Sequence, residues 1–161
     1  MPELKLALNE NATQELRRLI GKLNHPDVLM KGISLELLSL TERAFEKEGD
    51  PGKWQKLAAS TVKQRSKKGH WPGKMLQVST AGLAASVQPF SSSTEAGIGA
   101  GSGRSAKYAA IHQFGGQAGR GKKSTIPARP YLPMRLNGSE LDLTEPARKS
   151  ITQLLYDYME K

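Results

Sequence analysis

The 161-residue sequence contains no cysteine, and only 6% of its residues are aromatic. The absence of cysteine excludes disulfides, thiolate nucleophiles and zinc–thiolate sites, so we expect the fold to depend on packing. No apolar run approaches the roughly 18–20 residues that span a bilayer, and no basic stretch followed by an apolar one opens the chain. The sequence therefore predicts a soluble cytoplasmic product without a membrane segment, folded as a single domain over residues 1–161.

Acidic side chains are nearly absent from the middle of the chain. Residues 51–139 contain fourteen basic residues and one acid, Glu95, whereas the two ends together carry a net negative charge. This asymmetry indicates a polyanionic or acidic partner for the middle section, although a basic surface that only aids solubility explains it equally well. Residues 66–74 and 117–123 combine glycine with clustered charge, so we expect both to be mobile basic loops.

Apolar spacing predicts helices at both ends of the chain. Asn11 and Gln14 have the spacing of a capping box, and apolar residues then recur at helical intervals for about three turns. A second, longer helix is expected after Pro26, ending at the glycines and proline of residues 49–52. A further apolar stripe, which begins at Leu143 with Thr144 as its cap, predicts a C-terminal helix.

Short extended segments are predicted in the middle of the chain. Residues 83–90 and 94–100 have the pattern of a β-hairpin, and Pro89 suits an edge strand. Residues 124–127 and 129–132 resemble extended segments that are each interrupted by a proline. Together with the terminal helices, these segments predict an α+β fold in which N-terminal and C-terminal helices flank a small antiparallel sheet.

Residues 114–125, FGGQAGRGKKST, resemble a phosphate-binding loop. The frame G-x-x-x-x-G-K fits from Gly116 to Lys122, but Lys123 stands where a serine or threonine would bind Mg²⁺. A nucleotide-binding loop also follows a buried strand and opens a helix. Residues 106–114 upstream instead predict a short helix, and the prolines downstream prevent another. We therefore interpret this stretch as a flexible basic loop.

The sequence predicts no catalytic centre and no cofactor. The three histidines, His25, His70 and His112, lack metal-ligand spacing, and we interpret them as capping or packing residues. Residues 99–104 are rich in glycine but lack a complete G-x-G-x-x-G, and no G-x-S-x-G motif occurs. No reaction class is therefore predicted from the residues.

A basic cluster beside an aromatic ring supports an alternative function, that of a nucleic-acid-binding module. Lys63, Arg65, Lys67 and Lys68 lie close in sequence to Trp71. Such a combination can contact phosphates while the ring stacks on a base. A solvated helix end with the tryptophan packed beneath it is the competing interpretation. No recognition helix or RNP signature is present, so base-specific recognition is not expected.

Two segments resemble the hallmark of the phage virion morphogenesis family, which includes the Mu-like G protein and tail completion proteins. The first hallmark segment is residues 108–116, YAAIHQFGG, and the second is residues 126–132, IPARPYL. Between them lies a basic insertion. The order and spacing of the two segments make a chance similarity improbable.

Two upstream stretches add to this resemblance, which extends from about residue 30 to residue 135. Trp54, Leu57 and Thr61 resemble the family's W-x-x-L-x-x-x-T element, which we call the tryptophan element. Residues 75–86 resemble its L-x-x-(S/T)-G-L-x-x-S segment, with one extra residue at Ala81.

The resemblance implies an α+β structural protein of the virion without catalytic activity, assembled in the host cytoplasm. It would complete the tail at its head-proximal end or join head to tail. The implied partners are copies of itself in a ring of six-fold symmetry, other neck or tail proteins, and non-specific DNA in the lumen. The edges of the hairpin at residues 83–100 could add strands between neighbouring subunits.

The resemblance also suggests which residues contact other chains and which support the fold. Candidate partner contacts are the basic residues Arg104, Lys107, Arg120, Lys122, Lys123 and Arg129. Arg129 is the leading candidate for a polar junction contact, with a salt bridge inside the subunit as the alternative. Structural motif residues are Trp54, Tyr108, His112, Phe114, Gly115, Gly116, Pro127, Pro130 and Tyr131. We expect the three aromatic residues of the hallmark segments in the core and the two glycines in a tight turn.

Overall fold

The computed structural model describes residues 10–101 and 103–160, apart from the side chains of residues 10–13, 16 and 122. This part of the chain contains five α-helices: α1 Glu10–Leu23, α2 Asp27–Lys47, α3 Ala59–Lys67, α4 Ala106–Phe114 and α5 Glu145–Glu160. It also contains six strands: β1 Gln88–Ser91, β2 Ala96–Gly99, β3 Gly116–Ala118, β4 Ser124–Ile126, β5 Met134–Asn137 and β6 Glu140–Leu143. The α+β class predicted from the sequence is confirmed.

The strands pair only with their neighbours in the chain, as three separate antiparallel hairpins within the described ranges. The predicted hairpin is confirmed as β1–β2, but it is shorter than expected because Ala84–Ser86 forms a 3₁₀ turn. The β5–β6 hairpin was not predicted. An isolated two-stranded hairpin is marginally stable in water, so the packing of β1 and β2 against α2 stabilises that pair.

Helix α2 is the central helix of the fold, and its apolar stripe is buried as the sequence pattern predicted. The helix ends at Lys47 because Glu48 adopts a left-handed conformation and Gly49 follows with φ 111°. A Cβ atom on Gly49 would lie 2.2 Å from the carbonyl oxygen of Gly52, so only glycine fits this turn. The predicted stop at residues 49–52 is therefore confirmed.

Helix α5 packs along α2, and α1 contacts its C-terminal end. Lys22 Nζ donates hydrogen bonds to the carbonyl oxygens of Tyr158 and Met159, at 3.0 and 2.8 Å. Arg18 Nη2 donates to the Met159 carbonyl as well, at 2.8 Å. Cations at a helix C-terminus satisfy carbonyls that have no partner within the helix and interact favourably with the helix dipole. These contacts connect the two ends of the chain.

The sequence predicted a helix cap at Thr144 and another at Asn11, and the structure agrees with the position of the first only. Thr144 directly precedes α5, and its carbonyl accepts the helical hydrogen bond of Arg148 N at 2.9 Å. Leu143, which the apolar stripe assigned to the helix, ends β6 instead. Helix α1 begins at Glu10, so Asn11 lies inside the helix and not at the predicted cap position. None of the helices in the described ranges is both long and apolar enough to cross a bilayer.

The hydrophobic core includes buried residues from α2, α4 and the segments between and after them. Its buried members are Ala44, Phe45, Trp54, Met75, Leu83, Val87, Ala109 and Tyr131. The Phe45 ring contacts two aromatic neighbours, with centroids 5.9 Å from Trp54 and 5.2 Å from Tyr131. This aromatic group joins α2, the tryptophan element and the second hallmark segment.

Tyr108 and Phe114 are not core residues, so that part of the aromatic prediction was wrong. Tyr108 is 36% exposed and Phe114 is 40% exposed. On α4 the buried residues are Ala109 and Gln113, four positions apart on one face of the helix. A helix of nine residues that buries this narrow face directs its larger aromatic side chains outward.

Candidate functional site

The two hallmark segments are joined by the side chain of Gln113, which is 3% exposed. Its Oε1 accepts hydrogen bonds from the backbone N–H groups of Tyr131 and Leu132, at 3.0 and 2.9 Å. Its Nε2 donates to the carbonyl oxygens of Leu132 and Met134, at 3.2 and 3.1 Å. The amide thus supplies the hydrogen-bond partners that a neighbouring strand would give to an extended segment.

Tyr131 and Trp54 add two further hydrogen bonds between distant parts of the chain. The Tyr131 hydroxyl donates to the Ala109 carbonyl at 3.1 Å, and Trp54 Nε1 donates to the Pro130 carbonyl at 2.8 Å. Burial raises the pKa of the Tyr131 hydroxyl to about 12. The phenol therefore stays protonated and remains a donor throughout the neutral range.

Gly115 ends α4 and lets the second hallmark segment approach closely. Gly115 and Gly116 have φ angles of 74° and 147°, which side chains rarely allow. A Cβ atom on Gly115 would lie 2.9 Å from Ala128 N and 3.1 Å from the Ile126 carbonyl oxygen. Any other residue at this position would push the two hallmark segments apart.

An open groove of about 730 Å³ lies on one side of these segments. Four stretches contribute to its walls: the tryptophan element, residues 75–86 and the two hallmark segments. Their lining residues include Leu57 and Thr61, Leu76 and Leu83, Tyr108 and His112, and Ile126 and Arg129. Stretches that are separate in the sequence thus form a single surface.

Arg129 lies inside the subunit, with 5% of its surface exposed. Its Nε donates to the Gln55 carbonyl at 3.1 Å and its Nη2 to the Lys56 carbonyl at 3.4 Å. No carboxylate among the described side chains forms an ion pair with it. Burial, and then the nearby positive charge of Arg65, lower the pKa of Arg129. The alternative of a salt bridge inside the subunit is wrong for the described side chains, because the acceptors are carbonyls. The junction contact stays a prediction, since Arg129 lines the groove although little of its surface is exposed.

His112 lies on the groove wall and is half-buried. Its Nδ1 is buried and has no hydrogen-bond partner among the described residues. Burial penalises the charged imidazole and Arg129 repels it, so the pKa of His112 is lower than its ordinary value. The Tyr108 ring meets the imidazole edge-on, with centroids 5.7 Å apart. The wall therefore presents a neutral histidine, and we assign no catalytic role to it.

The sequence model of the phage virion morphogenesis family matches residues 8–160. The chain belongs to this family. The match confirms the resemblance and extends it to both terminal helices. The chain is 37% identical over 132 residues to the Mu-like prophage FluMu G protein 2 of Haemophilus influenzae, covering 82% of this chain and 83% of that protein. It is 31% identical over 161 residues to the "Putative capsid assembly protein G" of Escherichia phage Mu, covering 93% and 99%. No solved structure matches the chain.

Family membership places the protein among phage structural and assembly proteins. Four of the remaining basic residues that were predicted to contact partners are exposed, and they lie in two regions of the fold. Arg104 and Lys107 lie at the start of α4, and Arg120 and Lys123 lie between β3 and β4. The side chain of Lys122 is outside the described ones. The expected mobility of the basic loops stays a prediction.

The glycine-rich stretch has the wrong surroundings for a nucleotide site. It connects the strands of the β3–β4 hairpin, in which Ala118 pairs with Ser124. It follows helix α4 closely, and the described chain continues into β4 instead of a helix. A phosphate-binding loop instead leads from a buried strand into a helix N-terminus, whereas β3 is largely exposed and β4 follows this loop.

Sequence reasoning missed Gln113, although it lies within the first hallmark segment. Its position four residues after Ala109 on the inner face of α4 was the available signal, since a polar residue on a buried face needs partners. The groove cation Lys56 was also missed. It lies two residues after Trp54, in a stretch noted only for its resemblance to the tryptophan element of the family.

Proposed function

We propose that this protein is a structural phage component that completes the tail at its head-proximal end or joins head to tail, acting as a ring of identical subunits and not as an enzyme. Membership in the virion morphogenesis family supports the structural role. The two relatives support it through their names, a G protein of a Mu-like prophage and a capsid assembly protein G. In this proposal the virion is the final location of the protein.

The observation that carries the proposal is the convergence of all four family stretches on one open groove. The buried residues of those stretches, Gln113 and Tyr131, position backbone and do not present reactive groups to solvent. Open surfaces built on a rigid framework are suited to contacts with other chains. The groove therefore fits an assembly contact better than a reaction site.

Deletion of the gene from its phage genome tests the proposed role in assembly. We expect filled heads and separate tails to accumulate and infectious particles to be lost, because the joining surface is missing. Plaque counts and negative-stain electron microscopy of the lysate measure both effects. A plasmid copy of the gene should restore infectivity. Joined, infectious particles in the deletion strain would contradict the proposal.

Contact with DNA in the ring lumen is a second candidate function, supported by the exposed basic side chains of Arg104, Lys107, Arg120 and Lys123. None of these side chains forms an ion pair with a described acid. Cations without local partners are free to neutralise phosphates.

Salt-dependent DNA binding tests this second candidate. We expect the purified protein to bind duplex DNA, with log affinity falling by about 0.9 per phosphate contact for each unit of log salt concentration. The double variant Arg120→Glu, Lys123→Glu should bind more weakly and with a shallower slope in a fluorescence anisotropy titration. The control is Lys149→Glu, an exposed change on α5. Indifference to DNA at low salt would rule this candidate out.

A further inference from the structure

The groove carries positive charge that no described acid of the subunit neutralises. Lys56, Arg65 and Arg129 line it, and no acid does so among the described residues. Arg129 donates only to backbone carbonyls in the described hydrogen bonds, so its buried charge has no carboxylate counterpart. An unpaired buried charge is costly, and a carboxylate brought into the groove would offset this cost. The groove therefore favours an acidic occupant.

The groove wall is also partly apolar. Leu57 and Leu76 line it, and exposed Val78 and Tyr108 stand beside them. A nucleic-acid backbone presents phosphates without apolar side chains, whereas a protein helix can present carboxylates and apolar groups on one face. The combination favours a protein segment over DNA.

The outer face of helix α5 has the complementary composition. Tyr156, which is 62% exposed, is the large apolar side chain of this face. Asp157 and Glu160 are exposed acids on the same part of the helix. Tyr156 and Glu160 are four residues apart and share one face. No residue of α5 lines the groove, so a single subunit can present both surfaces at once.

We propose that the groove of one subunit binds the outer face of α5 from a second copy of this chain, with Asp157 and Glu160 placed against Lys56 and Arg65. This inference rests on the proposed function, because it describes the contact from which the ring is built. A contact between two different surfaces is head-to-tail, so it propagates from subunit to subunit and gives a ring where its rotation closes. Each subunit then uses one groove and one helix.

Charge reversal on either surface tests this contact. The groove variant carries Lys56→Glu and Arg65→Glu, and the helix variant carries Asp157→Lys and Glu160→Lys. Sedimentation velocity over a concentration series measures the association of each with itself. We expect wild-type protein to associate and each variant to associate more than about tenfold more weakly, because like charges face each other. A matched control, Arg17→Glu with Lys31→Glu, reverses two exposed charges elsewhere and should associate like wild type.

Mixing the two variants gives the sharpest result. The acidic groove of the groove variant matches the basic helix of the helix variant. The opposite pairing is also favourable, because the helix variant keeps the basic groove and the groove variant keeps the acidic helix. The mixture should therefore form assemblies larger than a dimer in which the two variants alternate, and a chain carrying all four changes should form assemblies larger than a dimer by itself. Circular dichroism melting must show that every variant keeps the wild-type melting temperature.

The results that would overturn this contact differ from the result that would overturn the proposed function. Wild-type assemblies that persist in both variants, or a mixture that stays monomeric, overturn the contact. Wild-type protein that never associates overturns it as well. In each of these cases the deletion strain decides the proposed function independently, through the presence or absence of joined particles.

Discussion

Replacing Trp54 by alanine is expected to destabilise the fold by about 3–5 kcal/mol, which is the usual cost of removing a buried tryptophan. Trp54 is 6% exposed and packs edge-on against Phe45. The change also removes the donor to the Pro130 carbonyl and so loosens the second hallmark segment from the tryptophan element. Equilibrium urea unfolding followed by far-UV circular dichroism measures the loss.

Trp71 provides a matched control, because it is 40% exposed and its replacement by alanine removes the same side chain from the surface. We expect Trp71→Ala to change the free energy of unfolding by less than about 1 kcal/mol. Trp54→Phe should fall between the two, since it keeps an aromatic ring but loses the N–H donor. Equal losses for Trp54→Ala and Trp71→Ala would show that the aromatic group does not hold the core together.

Replacing Gln113 by alanine is expected to cost about 3 kcal/mol or more in the free energy of unfolding. The side chain makes four hydrogen bonds to the backbone of the second hallmark segment and β5. Alanine leaves the buried N–H group of Tyr131 and the N–H group of Leu132 without their acceptor. The same urea titration measures the cost. The control is Gln153→Ala, because Gln153 is exposed and its described side-chain hydrogen bond is to Asp157 on the same helix.

Gln113→Glu separates hydrogen bonding from packing, because the two side chains have nearly the same shape. An ionised glutamate still accepts from Tyr131 N and Leu132 N, but it cannot donate to the carbonyls of Leu132 and Met134. Its penalty should shrink as the pH is lowered, since a protonated carboxyl regains one donor. A loss below about 1 kcal/mol for Gln113→Ala, or a pH-independent penalty for Gln113→Glu, would contradict the role assigned to the amide.

Helices could be predicted where one face of the chain carries a regular apolar stripe. Helix α2 agrees with this rule. It ends just before Gly49, as the glycines and the proline of residues 49–52 predicted from local backbone geometry. Helix α4 was also predicted, but its buried face was not, because Ala109 is small and Gln113 is polar. The expectation that the aromatic residues of the hallmark segments are buried therefore failed for Tyr108 and Phe114, which lie outside the core.

The groove could not be predicted from local patterns. Its cations come from separate stretches, and periodicity does not show that Arg65 and Arg129 are close enough for one to lower the pKa of the other. The division of the strands into three hairpins was equally hidden, since each short segment could have paired with several others. Pairing and proximity depend on the path of the whole chain.

The sequence by itself determined the family, the terminal helices and the excess of positive charge in the middle section, because each is a property of residue identity and short-range spacing. Only the tertiary structure decided that Arg129 is buried, that Gln113 joins the hallmark segments, and that four stretches share one groove. Burial and hydrogen-bond partners are set by residues far apart in the chain, as with Trp54 and Pro130. Those contacts form only when the fold brings distant backbone and side chains together.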